Sequence, residues 1–507
     1  MRNKLFAWMI CGPGVAFAEQ APLSAIDWLA SPPVAQTSPL ANTPPTAEPR
    51  PTGAQVPEIS VTSLEMVNAD SVGLLPPSST GLPVSIWRNS QTADIIELLN
   101  NLPKTSNSAI QSVIYSLLLA EADAPQSTPS AGAFLAARIE TLVKLGAVYP
   151  AMALLERASP LPASLVPVVF DVSLYDSSLA PSCDQVLSLG AAYPDDATRI
   201  YCLARKGDWL TASLILQTAQ ALGSLTPHQA ALLHEFLQTD VQDGLITSMP
   251  PPAQVTPLEF RLYEAIGAPL STNMLPRAFA NSDLNGDNGW KSQLTAAERL
   301  AETGAIGDNQ LLGLYTQNVP SASGGIWDRV EVFQKLDRAL DAGVAEEIAS
   351  ALDRAWDAFD GTPLRETFAN IFADRLLGAP FTGADRILAA RIAVLSPQYE
   401  RAAQNLGGQD QFLQAIAQGN WENLTPTGAI DRAIQDAFIA PRIPMSIDRL
   451  VNQGKLGEVI LNALIQFDQG AQGDPQDLLE SLSTLRLIGL ENTARRAAIS
   501  VYLGQDR

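Results

Sequence analysis

The chain has 507 residues, 53 Asp+Glu against 32 Lys+Arg, a net charge of −21 and 46% hydrophobic residues. The hydrophobic share excludes a wholly disordered chain, and the length gives ample core for two to four domains or one long repeat array. The acid excess argues against nucleic acid and against anionic membrane surfaces, because both need a basic footprint.

The first segment, residues 1–18, reads as an export signal. Arg2 and Lys4 form a positive start, Leu5 to Val15 an apolar stretch, and Ala16-Phe17-Ala18 a small-x-small cleavage site. The apolar stretch is broken by Gly12-Pro13-Gly14 and is too short to span a bilayer. No later run is long and apolar enough either, so a mature protein in the periplasm, not spanning the membrane, is expected. Cleavage removes Cys11 and leaves Cys183 and Cys202. An even pair in an exported chain predicts one disulfide, with two buried free thiols as the alternative.

Residues 19–30 predict a short amphipathic helix with Leu23, Ile26 and Leu29 on one face and Trp28 beside them. Residues 31–57 carry eight prolines among Ala, Thr, Ser and Gln and predict a disordered tether. An apolar peptide on a tether is suited to docking on a partner, so Leu23, Ile26, Trp28 and Leu29 are candidate docking residues. Residues 58–90 predict a short β-hairpin and loop cap, with strands at 58–66 and 72–75.

From residue 91 the apolar period becomes that of a helix. One pattern recurs: two apolar positions, then a glycine four residues after the second, then small or apolar positions at helical spacing. Ile139, Leu142, Gly146, Ala151, Leu155 and Ala158 fit it. So do Ile200, Leu203, Gly207, Ala212, Leu216 and Ala219, and Leu336, Ala339, Gly343, Ile348, Leu352 and Ala355. Leu482, Leu485, Gly489, Ala494, Ala498 and Val501 repeat it, and Ile447, Leu450, Gly454, Val459 and Ala463 match five of six positions. The glycine supplies the positive φ that stops a first helix, and the small residues let a second helix approach closely.

This spacing resembles the tetratricopeptide-like helical hairpin of α-solenoids. The consensus Trp and Tyr positions are mostly missing, and the glycines lie 61, 136 and 146 residues apart, not at multiples of 34. The resemblance implies an all-α, irregular α-solenoid with an extended concave surface for a protein or peptide. A helical-repeat half is placed at 91–246, a loop-rich seam at 247–290, and a second half at 291–507. Of Trp209, Trp327 and Trp356, at least two are expected to be core residues. The composition also resembles secreted bacterial proteins rich in Ala and Pro.

Chemistry is sparse. Asp283, Asn285 and Asp287 match the first three ligand positions of a calcium loop, but Asn288 stands where glycine is needed and Leu294 where the bidentate acid belongs. An ordinary Asp/Asn/Gly turn explains the same residues. His234-Glu235-Phe236-Leu237-Gln238 lacks the second histidine of a zinc-protease helix. No nucleophile elbow or phosphate-binding loop appears. A superhelix also occurs in lytic transglycosylases, yet around Glu480-Ser481 the glycine-rich catalytic segment is missing. Arginines outnumber lysines 25 to 7, and Arg329, Arg338, Arg354, Arg365, Arg375, Arg386 and Arg391 alternate with aspartates, which predicts solvated faces and pairs within helices. The expectation is a non-catalytic binding scaffold of the envelope without a cofactor. The alternative is a cell-wall-associated enzyme accessory or a degenerate lytic-transglycosylase-like superhelix binding glycan.

Overall fold

The computed structural model describes residues 68–127, 129–238, 249–285 and 287–505. The export segment, the Leu23–Leu29 peptide, the proline-rich tether and the strand expected at 58–66 lie outside the described residues. The described chain is all-helical, from Pro77–Thr80 to Glu491–Gly504.

The segment expected as the second strand, 72–75, is not one. The Leu74 and Leu75 N–H groups donate to the Leu119 carbonyl at 2.8 and 3.0 Å, and Leu75 makes an isolated parallel bridge with Ala120. Among the described residues no ladder forms, because this short piece meets the end of helix Ser108–Leu119 instead of another extended segment.

The five patterned glycines all sit between two helices with positive φ. The helices of each pair pack on one another, for example Ala133–Leu145 on Val148–Arg157 and Pro475–Leu487 on Glu491–Gly504. In four of the pairs the same two hydrogen bonds close the first helix. At Gly146 they are Gly146 N–H to Val143 O at 2.9 Å and Ala147 N–H to Leu142 O at 2.8 Å. Gly207, Gly454 and Gly489 repeat this geometry, with Asp208, Lys455 and Leu490 N–H donating back to Leu203, Leu450 and Leu485. This is the Schellman stop. It explains why the pattern holds a hydrophobic residue four places before each glycine: its carbonyl takes the longer bond while its side chain faces the partner helix. At Gly343 a single bond to Ala339 O closes the helix. Nearly every other patterned position is buried, with Ile139, Leu142, Ala151, Ile200, Ala212, Leu352, Ala355, Leu485 and Ala494 fully so.

Buried apolar side chains form two clusters. The larger joins residues between Ala69 and Val172 to residues between Ala278 and Ile499, and so runs across the seam. The smaller holds residues between Val166 and Tyr263. Packing is not confined to neighbours in sequence. Thr92–Asn100 lies on Leu456–Ala471, and Ser108–Leu119 on Glu491–Gly504. Trp87 is fully buried at this junction, edge-on to Phe134 at 5.5 Å. Its ring occupies the space where a Cβ on Gly457 would stand, which is why that helix carries glycine near its start.

Candidate functional site

Cys183 and Cys202 form a disulfide with Cα atoms 5.1 Å apart, closing a separation of 19 residues. Cys183 begins helix Cys183–Leu189, and Cys202 lies inside helix Asp196–Arg205. Both are buried in the smaller core.

The calcium-loop residues take other partners. Asp283 accepts a hydrogen bond from the Thr272 hydroxyl. The Asn285 side-chain amide donates to Asp176 Oδ1 at 3.1 Å and to Ser177 Oγ at 2.8 Å. Asp287 sits in an exposed turn. Among the described residues no group of three or more His, Cys, Asp or Glu is arranged to hold a metal ion. His234 and Gln238 share one hydrogen bond at 2.6 Å.

The tryptophans divide unexpectedly. Trp327 and Trp356 pack partly buried against the larger core, whereas Trp209 is 40% exposed. None of the three is fully enclosed; among the described residues the fully buried indole is Trp87. Trp209 follows the N-cap Asp208, whose carboxylate accepts from Thr211 N–H at 3.1 Å. The inward face of helix Trp209–Leu222 belongs to Ala212, Leu216 and Ala219. Its outward side carries Leu210, Leu214 and Leu222, which are 85%, 62% and 77% exposed. The whole helix contains no charged residue.

Many arginines make contacts between helices, not within one. Arg329 pairs with Glu298 at 2.6 Å, and Arg375 with Asp337 and Asp341. Arg365 donates to the Ser500 carbonyl at 2.5 Å. Two buried charges escaped the sequence reading. The Arg138 guanidinium donates to the carbonyls of Leu118, Val72 and Ala120 at 2.8, 2.7 and 3.1 Å. Burial pulls its pKa down to about 10, against the attraction of Asp70. Asp70 accepts from the N–H groups of Gly132 and Leu135, capping helix Ala133–Leu145 from outside it.

A cleft of about 260 Å³ opens beside the disulfide, between residues 173–181, helix Asp196–Arg205, Phe236 and helix Pro257–Ala265. Pro181, two residues before Cys183, and Tyr201, next to Cys202, both line the cleft. The Tyr201 ring stacks on Phe236 with centroids 5.6 Å apart. Arg261 is 8% exposed; its Nε donates to Leu174 O and its Nη1 to Glu264 Oε2, both at 2.6 Å. Its Nη2 is buried without a hydrogen-bond partner. Arg205 is exposed and forms no ion pair among the described residues. Burial raises the Tyr201 phenol pKa, while Arg205 and Arg261 act to lower it, so both guanidinium groups bear on that hydroxyl. Asp176, which also lines the cleft, is buried. Burial works to raise its pKa, but hydrogen bonds from Tyr149, the Ser178 N–H and Asn285 outweigh burial and hold it below the ordinary carboxylate range.

With this geometry in view, the comparisons with known proteins give no match: no family model, no curated protein and no solved structure. No helix among the described residues is long and apolar enough to cross a membrane.

Proposed function

We propose that this chain is an exported, periplasmic, non-catalytic scaffold, an irregular α-solenoid of tetratricopeptide-like hairpins that binds a protein or peptide of the cell envelope. The observation that carries the reading is the outward face of helix Trp209–Leu222. Leu210 and Leu214 stand one turn apart and exposed, next to a half-exposed Trp209, which exceeds the single scattered apolar residue that surfaces tolerate, and such groups mark interaction sites.

The occupant is an apolar segment of another protein and not a lipid surface. The chain is strongly acidic and the helix itself carries no basic residue, which opposes binding to anionic headgroups. An uncharged helical face suits helix-in-groove or helix-on-helix contact. The disulfide and the N-terminal signal pattern support an oxidising compartment outside the cytoplasm. A photo-crosslinking residue at position 214 is the test. The reading expects one discrete adduct there in the native compartment and none from the same probe at exposed Glu346. Equal labelling from both positions contradicts it.

A further inference from the structure

We propose that the cleft beside the disulfide binds a monocarboxylate carrying an aromatic or branched apolar group. The carboxylate lies between Arg205 and the unpartnered Nη2 of Arg261, and the apolar group rests on Tyr201 and Phe236.

Three observations converge on this ligand. The first is an unmet donor. Arg261 is more than nine-tenths buried, two of its three nitrogens have acceptors at 2.6 Å, and the third has none. A buried guanidinium N–H without an acceptor is costly, and an oxygen brought into the cleft removes that cost. The second is charge. Arg205, Arg261, Asp176 and Glu264 all line the cleft; Glu264 is taken up by Arg261 on its own helix and Asp176 by Tyr149, Ser178 and Asn285, which leaves Arg205 without a carboxylate partner among the described residues. One exposed guanidinium without a carboxylate partner suits a single negative charge, the neighbouring Asp176 and Glu264 oppose a second, and a planar carboxylate matches the guanidinium fork. The third is the wall. The stacked Tyr201 and Phe236 rings give an apolar platform continuous with Leu174, Leu179 and Pro181. The volume of about 260 Å³ admits a group the size of one residue, not a folded domain. Such a carboxylate is either the C-terminus of a peptide or a free small acid.

This inference does not rest on the exposed leucine face: either surface can bind while the other does not. The bridge contributes by position, since it clips the Pro181 lip to the helix that presents Tyr201 and Arg205.

The experiment is ligand-observed saturation-transfer NMR on the oxidised, mature chain. The probes are N-acetylphenylalanine, its C-terminal amide, inorganic phosphate, and Ala-Ala-Ala-Phe with a free C-terminus. The expected result is binding of both acids, with the amide and phosphate at least about tenfold weaker. Arg205→Gln should weaken both acids by about tenfold while leaving the melting curve unchanged. The tetrapeptide binding tighter than N-acetylphenylalanine assigns the site to peptide C-termini; the reverse order assigns it to free acids. Equal binding of acid and amide, no saturation transfer to either acid, or a folded Arg205→Gln chain with unchanged affinity overturns the proposal. The acid and amide comparison uses the unaltered protein, so it stands even where a variant fails to fold.

Discussion

The side-chain amide of Asn281 donates to the carbonyl of Gly146 at 2.9 Å and to that of Ala278 at 2.8 Å. Asn281 is buried in the loop-rich region, 135 residues from the turn it satisfies. The first Gly-turn hairpin is therefore anchored by the 3-10 helix Arg277–Leu284, which packs on helices Ala133–Leu145 and Trp290–Ala301. Thr303 reinforces the same place, its hydroxyl donating to Leu145 O at 2.6 Å.

Asn281→Ala should destabilise the fold by about 1–3 kcal/mol, because it removes two buried hydrogen bonds, one to Ala278 O and one to Gly146 O, which keeps only the Val148 N–H. Equilibrium denaturation of the larger core measures this. An unchanged midpoint would show that the seam does not anchor the hairpin.

The hairpin glycines should differ in sensitivity. Gly343 has φ of +74° and open space around a built Cβ, so Gly343→Ala should cost only the left-handed strain, roughly 1–2 kcal/mol. Gly146 has φ of +91°, and its Cβ would stand 2.6 Å from Leu300 Cδ2. Gly146→Ala should cost about 1–3 kcal/mol more, since Leu300 is fully buried and has little room to move. Equal losses in a melting comparison would contradict this packing.

Replacing both cysteines, Cys183→Ala with Cys202→Ala, should cost about 3 kcal/mol on the chain-entropy view of a loop of this length. The loss should fall on the smaller core, where both cysteines are buried. Hydrogen exchange resolved by segment reads this directly. Faster exchange confined to residues around Ala339 and Leu352 in the larger core would contradict it.

Asp176 sets an acid limit. Its folded pKa lies below the unfolded one, so its contribution is present above the ordinary Asp range near pH 3.9 and is lost as pH falls toward the folded value. Asn285→Ala removes one of the bonds that hold it down. That variant should be less stable than wild type at neutral pH, and the gap should narrow at about pH 3. A gap that widens on acidification would reverse the assigned sign.

The helical hairpins were legible in the sequence because a Schellman stop is local. Leu142, Gly146 and Ala151 fix their geometry within ten residues, and burial repeats at helical spacing. The segment 72–75 read as a strand because its residues are apolar, but an extended piece is a strand only where a ladder partner lies alongside. Trp209 read as core on residue type alone, while the inward face of its helix was already filled by Ala212, Leu216 and Ala219. The buried pair Arg138 and Asp70 carried one readable hint, an arginine within the apolar face of Ala133–Leu145. Its acceptors, Val72, Leu118 and Ala120, lie up to 66 residues away, beyond any local pattern. The cleft was illegible for the same reason, since Leu174, Tyr201, Phe236 and Arg261 come from four separate segments.

The central claim is that the outward face of Trp209–Leu222 binds a protein partner. The most direct measurement is crosslinking capture from the native compartment with three forms of the chain: unaltered, Leu210→Glu with Leu214→Glu, and one lacking residues 19–57. Because both leucines are exposed, the double substitution should leave the melting midpoint unchanged. The account predicts that one protein captured by the unaltered chain is lost from the double variant and kept by the truncated chain. Capture that survives the double substitution and disappears on truncation would contradict the claim and move the docking element to Leu23, Ile26, Trp28 and Leu29.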